Sequence, residues 1–456
     1  METFAKIYRG YFTNWGKIRE VGKIFLFGVI FTTLSVSHNF AGETPAQKAQ
    51  RMQWFEDAKL GIFIHWGIYA VDGIAESWSF HNGQISYVDY MKQLSGFTAS
   101  RYNPDNWAKL FKESGARYAV LTSKHHDGVA LWPTKLSHLN VVEKTPAGRD
   151  LIGPYCEALR KHGLKVGLYF SILDWSYPDY PNWTRSVKRY DPRKDSARWN
   201  RFVKFYQGQI REIATRYKPD LLWFDGDWEF PADMLHAKET REEINRLLPG
   251  VVVNSRLPGY GDYATPEQGV PITRPKARWW ELCMTTNDSW GYQPKDQNYK
   301  SLNEIIRIFV DCISMGGNLL LDVGAKPDGT FPEKQVTILK GLGRWTHKHT
   351  EAIYGTQAGI PKDYFYGPSA LSKDKKTLYL FLTCNPNGPV LLKGLKNKIT
   401  RIRVVGSGTE LKWKTLMKSW SSVPGIVAIS VPQDVLDKDV TVLAVHLNEP
   451  IDLFKK

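Results

Sequence analysis

The stretch Pro219-Asp220-Leu221-Leu222-Trp223-Phe224-Asp225-Gly226-Asp227-Trp228 decides the fold of this chain. It reads as a short apolar strand that ends in an acid and is stopped by a glycine. Three other apolar runs end alike: residues 59–67 on His65-Trp66-Gly67, 118–128 on Lys124-His125-His126-Asp127-Gly128, and 167–175 on Asp174-Trp175. A parallel α/β barrel keeps its chemistry at the C-terminal ends of its strands. Histidines, aromatics and carboxylates therefore converge on one rim, a set suited to chemistry on a sugar bond.

Outward from this stretch, residues 50 to 355 alternate short apolar strands with amphipathic helices. Strands are expected at 60–66, 116–123, 164–172, 220–225, 250–255, 278–283 and 317–323, with helices at 108–114, 151–162, 196–217, 302–315 and 335–348. Such alternation predicts parallel βα units. Seven or eight strands in a segment of this length favour a (β/α)8-like TIM barrel over an open doubly wound sheet, and no G-x-G-x-x-G follows the first strand. Past Gly355 the texture changes to short strand-like runs at 378–382, 390–392, 399–405, 409–413, 426–431 and 440–445, separated by turn residues. This predicts a C-terminal β-sandwich. The expected organisation is a signal peptide over 1–41, a catalytic barrel over 42–356 and the sandwich over 357–456.

The leader reading rests on basic residues up to Lys23, then an apolar stretch from Ile24 to about Val36, then small residues with Ala41 as a cleavage position. The stretch is short for a transmembrane span and fits an export signal, with an uncleaved anchor as the alternative. Export implies a secreted or periplasmic protein with no stable membrane insertion once the signal is removed. The net charge is +15, of which residues 1–41 contribute +3. The remaining positives are scattered, with no basic stripe interleaved with aromatics, so nucleic acid is not an expected partner. Attraction to acidic glycans is physically reasonable. Four cysteines without a C-x-x-C imply no disulfide framework, and Cys283 and Cys312 read as buried thiols. Seventeen tryptophans are many for 456 residues. Their flat apolar faces suit either a large core or the C–H face of a pyranose.

Asp225 is the strongest candidate nucleophile, and a strand-end turn cap is its structural alternative, because Asp-Gly is a common turn. Asp227 and Glu229 follow as partners or as a catalytic acid. His65, His125 and His126 could bind a metal, sit in the core, or hydrogen-bond sugar hydroxyls, for which neutral imidazole supplies one donor and one acceptor. Adjacent strand residues face opposite sides of a sheet, so the His125-His126 pair argues against metal. No metal and no organic cofactor is expected.

These motifs resemble the α-L-fucosidases of glycoside hydrolase family 29. The resemblance rests on Trp54-Phe55, Gly61 to Gly67, Glu76-Ser77-Trp78, Lys124 to Gly128, Gly167 to Ser171 and Leu222 to Gly226. It continues through Asn254-Ser255-Arg256, Trp280 to Cys283, Ser289-Trp290-Gly291-Tyr292 and Gly316 to Leu321, and it covers residues 50 to about 450. It implies a barrel plus β-sandwich and an exo-acting retaining α-L-fucosidase acting on fucosylated oligosaccharides or glycoconjugates. It implies Asp225 as nucleophile, and His65, His125, His126, Tyr169, Trp223, Arg256 and Trp290 as substrate-binding residues. The Glu76-Ser77-Trp78 element carries one residue more than the family's E-W pair, so Glu76 and Trp78 both stand as substrate contacts.

For the acid/base, Glu267 in the loop after Arg256 is preferred over Glu281, with Asp227 and Glu76 behind. Glu281, which starts a strand-embedded run, otherwise reads as a structural or supporting residue, and it stands among the substrate contacts. Two rival readings stay open: a retaining glycosidase of the same fold acting on another or a sulfated sugar, and a non-catalytic, fucose-binding, lectin-like member. A homo-oligomer is allowed by the sequence.

Overall fold

The computed structural model describes residues 43–417 and 423–455. The expected signal segment, 1–41, lies outside the described residues.

Seven parallel strands form one curled sheet: β1 (Leu60–His65), β2 (Tyr118–Lys124), β3 (Lys165–Ser171), β4 (Leu221–Asp225), β5 (Val252–Val253), β6 (Glu281–Thr285) and β7 (Asn318–Gly324). Their order is β5-β4-β3-β2-β1-β7-β6, which leaves β5 and β6 as edges. Residues 263–267 fill that gap. Asn254 bridges Tyr263 on one side, while Ala264 bridges Trp280 and Glu267 bridges Cys283 on the other, all parallel. The backbone bonds Ser255 N to Tyr263 O at 2.8 Å and Glu281 N to Ala264 O at 2.9 Å hold this short stave in place. The barrel therefore closes through an eighth segment that the sequence reading had placed in a loop.

The long helices Pro104–Glu113, Ile152–Lys161, Ser196–Tyr217, Leu302–Ser314 and Glu333–Lys348 lie where the apolar periodicity predicts them. Two more, Pro45–Ala58 and Ala237–Leu247, were not foreseen. The first starts at a capping box: Thr44 and Gln47 each bond the other's backbone, with Pro45 at the first helical position.

Period-two alternation sorts the strand side chains. Ile62, Ile64, Leu121, Leu168, Phe170, Leu222 and Phe224 face the helices in the main core. Phe63, Tyr118, Val120, Tyr169, Leu221, Trp223 and Leu320 fill the barrel interior, floored by Met52 and Phe55 of the first helix. His65 shares the inward parity of Phe63, Asp225 that of Trp223, and Asp322 that of Leu320. The strand pattern thus aims all three into the barrel at its rim.

The C-terminal part forms two antiparallel sheets. The larger contains β8 (Gln357–Ala358), β9 (Ser369–Leu371), β10 (Thr377–Leu382), β12 (Ile399–Val404) and β15 (Thr441–Leu447), and the smaller β11 (Val390–Lys393), β13 (Trp413–Leu416) and β14 (Ile426–Ile429). Leu378, Leu380, Leu443 and Val445 face the smaller sheet across a separate core. Their neighbours Tyr379, Phe381, Val442 and Ala444 join the barrel's core instead. The expected strand at 409–413 is displaced to Trp413–Leu416. This edge strand carries Lys412 and Lys414 on its exposed surface and offers no apolar alternation to read. Cys156, Cys283 and Cys312 are buried free thiols, and Cys384 is a free exposed one.

Candidate active site

At the C-terminal rim lies a pocket of about 330 Å³ lined by twelve residues, Phe63, His65, Glu76, Trp78, His125, Tyr169, Trp223, Asp225, Trp228, Arg256, Glu267 and Trp290. The strands β1, β3 and β4 and the loops after β1, β2, β4, β5 and β6 contribute.

Asp225 is the last residue of β4 and is almost fully buried. Gly226 turns the chain away behind it at φ +101, where a Cβ would sit 2.3 Å from the Leu173 side chain. Both Asp225 oxygens are engaged. Tyr169 Oη donates to Oδ2 at 2.8 Å, and Arg256 Nη1 donates to Oδ1 at 2.7 Å. Burial, then the neighbouring Asp225 carboxylate, push the Tyr169 phenol well above its usual value, so it stays a donor. Arg256 reaches Glu267 with its other terminal nitrogen, forming a short ion pair with Oε2. Burial disfavours the guanidinium charge, but the carboxylates around it outweigh that and raise its pKa. The guanidinium also lies 4.6 Å from the Trp223 ring centroid. One planar cation therefore ties the two carboxylates together, a fork geometry that lysine could not reproduce. Glu267 is more open than Asp225, with its side chain 40% exposed.

The histidines are set from behind. His65 Nδ1 lies 2.6 Å from Asp322 Oδ1, leaving Nε2 for the pocket. His125 Nδ1 lies 2.5 Å from Ser77 Oγ, and His126 Nδ1 2.6 Å from Ser171 Oγ. Ser171 donates its own proton to Leu173 O at 2.6 Å, so His126 Nδ1 must be the donor. His126 Nε2, 3.7 Å from Asp225 Oδ2, is then an acceptor. Burial lowers the pKa of both His125 and His126 well below the usual value, which keeps them neutral. The two rings stand 4.3 Å apart. They do not oppose each other across a sheet, because β2 ends at Lys124. A register shift between Thr122 and Lys124 also turns Lys124 outward, onto Asp174 at 3.1 Å. Among the described residues, no group of three or more His, Cys, Asp or Glu side chains is placed to hold a metal ion.

Glu76 is buried against the loop after β6, accepting from Gly291 N at 2.6 Å, and burial raises its pKa. Trp290 of that loop leans on His65 at 5.0 Å between centroids, while Trp78 stacks on Trp228 at 5.8 Å.

A model of the family "Alpha-L-fucosidase" matches residues 33–351. The chain belongs to the alpha-L-fucosidase family. It is 31% identical to the tissue alpha-L-fucosidase of Rattus norvegicus over 412 residues, 82% of this chain and 86% of that one. Among solved structures it is similar to alpha-L-fucosidase isoenzyme 1 from Paenibacillus thiaminolyticus, with TM-score 0.80, 34% identity, 88% of this chain and 100% of that chain covered. It is similar also to a family 29 alpha-L-fucosidase from Bacteroides thetaiotaomicron, solved as a trapped covalent intermediate with 2-fluoro-fucosyl fluoride (TM-score 0.77, 27% identity, 88% and 96% covered).

Within this family frame, ten of the twelve residues expected from sequence line the pocket. His126 stands just behind the wall. Glu281 departs from expectation: it opens β6 instead of closing the strand, and so lies deep in the barrel below the rim. There it accepts from Tyr118 Oη in a short bond, from Trp223 Nε1 at 3.0 Å and from Tyr263 Oη at 3.3 Å. It is fully buried, and burial pushes its carboxyl up to about 7. Asp227 and Glu229 do not line the pocket either. Glu229 instead ties Trp175 Nε1 and Asn182 Nδ2 at 3.0 and 2.6 Å. Sequence reasoning missed Phe63, Trp228 and Asp322. A signal for the last was present, since Asn318 to Asp322 is another apolar strand closing on an acid.

Proposed function

We propose that this chain is an exo-acting retaining α-L-fucosidase that removes terminal α-L-fucosyl residues from oligosaccharides or glycoconjugates. The observation that carries the reading is the Arg256 bridge: one guanidinium joins a buried carboxylate, Asp225, to a more open one, Glu267, at the mouth of a single-ring pocket. In this reading Asp225 attacks the anomeric carbon. The carbon–oxygen bond to the aglycone breaks as Glu267 passes its proton to the leaving oxygen. Water then adds to the same carbon, giving its proton back to Glu267 and freeing Asp225. Two inversions give net retention. Tyr169 and Arg256 hold Asp225 in line, and His65 Nε2 meets a sugar hydroxyl while Trp290 and Phe63 offer apolar surface to the ring. Phe63 and Trp223 close the floor, which supports removal of end groups over internal cleavage.

In the same reading residues 42–356 are the catalytic barrel and 357–456 the sandwich that buttresses its helices. The basic and apolar leader supports export to the periplasm or beyond. Among the described residues no helix is long and apolar enough to cross a membrane. The test is hydrolysis of an aryl α-L-fucoside beside aryl galactosides and sulfated fucosides. Turnover of the plain fucoside at least about tenfold above the others is expected. Preference for another sugar would overturn the substrate assignment.

A further inference from the structure

Two tryptophans on different loops are exposed, one lining the pocket and one outside it: Trp228 at 48% and Trp183 at 37%. Large aromatics are seldom left in water without a use, and their rings present a flat apolar face with a polar edge. Neither ring is loose. Trp228 stacks on Trp78 and lies edge-on to His126 at 5.5 Å. Trp183 has the Arg189 guanidinium 4.3 Å from its centroid and Tyr87 at 5.3 Å. Arg189 in turn donates to Trp175 O at 2.7 Å and to Asn182 O and Tyr180 O, both at 3.0 Å.

The two loops are joined by one side chain. Glu229, next to Trp228 in sequence, accepts from Asn182, next to Trp183, at 2.6 Å, and also from Trp175 and Tyr180. Three donors on one carboxylate make a rigid clasp between the loop after β3 and the loop after β4. Trp228 lines the pocket, and the clasp ties its loop to the one that carries Trp183, where Val88 and Val187 are also exposed.

We propose that Trp228 and Trp183, held by Glu229, form a platform for the aglycone: the sugar rings on the leaving-group side of the scissile bond. The proposal rests on the fucosidase reading above. The occupant is a saccharide because Trp228 already lines the pocket, Glu229 ties its loop to the one that carries Trp183, and both rings are held by neighbouring side chains. Trp228 takes the first ring beyond the cleaved bond and Trp183 a later one.

The test compares kcat/KM on fucosyl di-, tri- and tetrasaccharides with kcat/KM on an aryl α-L-fucoside. In Trp183→Ala the oligosaccharide-to-aryl ratio falls about tenfold or more, and the fall grows with aglycone length. Trp183→Tyr, which keeps an aromatic face, restores most of the ratio. Glu229→Gln lowers it in the same direction. A ratio within twofold of wild type in Trp183→Ala at every length overturns the platform while leaving the fucosidase reading intact. A wild-type protein inactive on every fucoside overturns both.

Discussion

His65 and Asp322 come from neighbouring strands and meet at 2.6 Å behind the pocket lining, the imidazole donating from Nδ1 to the carboxylate. Burial opposes charge on His65, yet Asp322 outweighs it and raises the imidazole pKa. Burial also pushes the Asp322 carboxyl up to about 7, against the pull of His65. Burial thus opposes charge on both partners, and each partner's charge favours the other's. Asp322→Asn keeps the shape and removes the anion, so the His65 pKa falls. The expected result is a loss of about 10- to 100-fold in kcat/KM on an aryl fucoside, the scale of one charge-assisted hydrogen bond. The pH profile should also change shape between pH 5 and 8. An unchanged rate and profile would show that Asp322 only fills space.

Asp225→Gly removes the proposed nucleophile without disturbing β4, whose ladder is made by backbone. Activity should drop by at least about 10³-fold. Azide should restore part of it as a glycosyl azide. In the wild type, proton NMR of the first sugar released should show the α-anomer. An initial β-anomer would remove Asp225 from the role.

Glu267→Ala should hurt natural oligosaccharides far more than fucosides with activated aryl leaving groups, since only the former need a proton delivered. Glu281→Gln should not show that pattern, because Glu281 lies below the floor and touches no part of the pocket space. Reversal of the two behaviours would reassign the acid/base.

Glu281 makes a separate prediction about stability. Its folded pKa, about 7, is raised above the ordinary 4.5 by burial. The contribution of a group raised in this way is fully present below about pH 4.5 and is lost as pH rises through about 7. The wild type should therefore lose stability relative to Glu281→Gln between pH 4.5 and 8, by on the order of 3 kcal/mol. Thermal unfolding of both proteins across that range checks it. A constant gap in Tm would contradict the buried acid.

The seven barrel strands were legible because each is buried on both faces, which turns it into an unbroken apolar run. The eighth was not. Residues 263–267, Tyr-Ala-Thr-Pro-Glu, contain a proline and pair only through scattered bridges, so they carry neither alternation nor an apolar run. Most of the pocket could be read because functional side chains follow strand ends directly. The place of Glu281 turns on a register question: which end of a five-residue strand it occupies decides whether it faces substrate or the barrel interior. The premise that His125 and His126 face opposite sides of a sheet fails for a similar reason, since the strand stops just before them. Asp322 escaped because the matching motif was read only as far as Leu321.

The proposed nucleophile and the proposed proton donor are anchored very differently. Asp225 belongs to a strand paired on both sides, and displacing it would mean unpicking a continuous parallel ladder. Glu267 rides on the stave that seals the seam, fastened by single bridges to Asn254, Trp280 and Cys283. On the proposed roles, insertions or deletions near that seam would re-aim the donor toward a different leaving group without recasting the barrel. The half of the machinery that defines the reaction is thereby frozen into the scaffold. The half that must suit each aglycone sits where a chain can afford to drift.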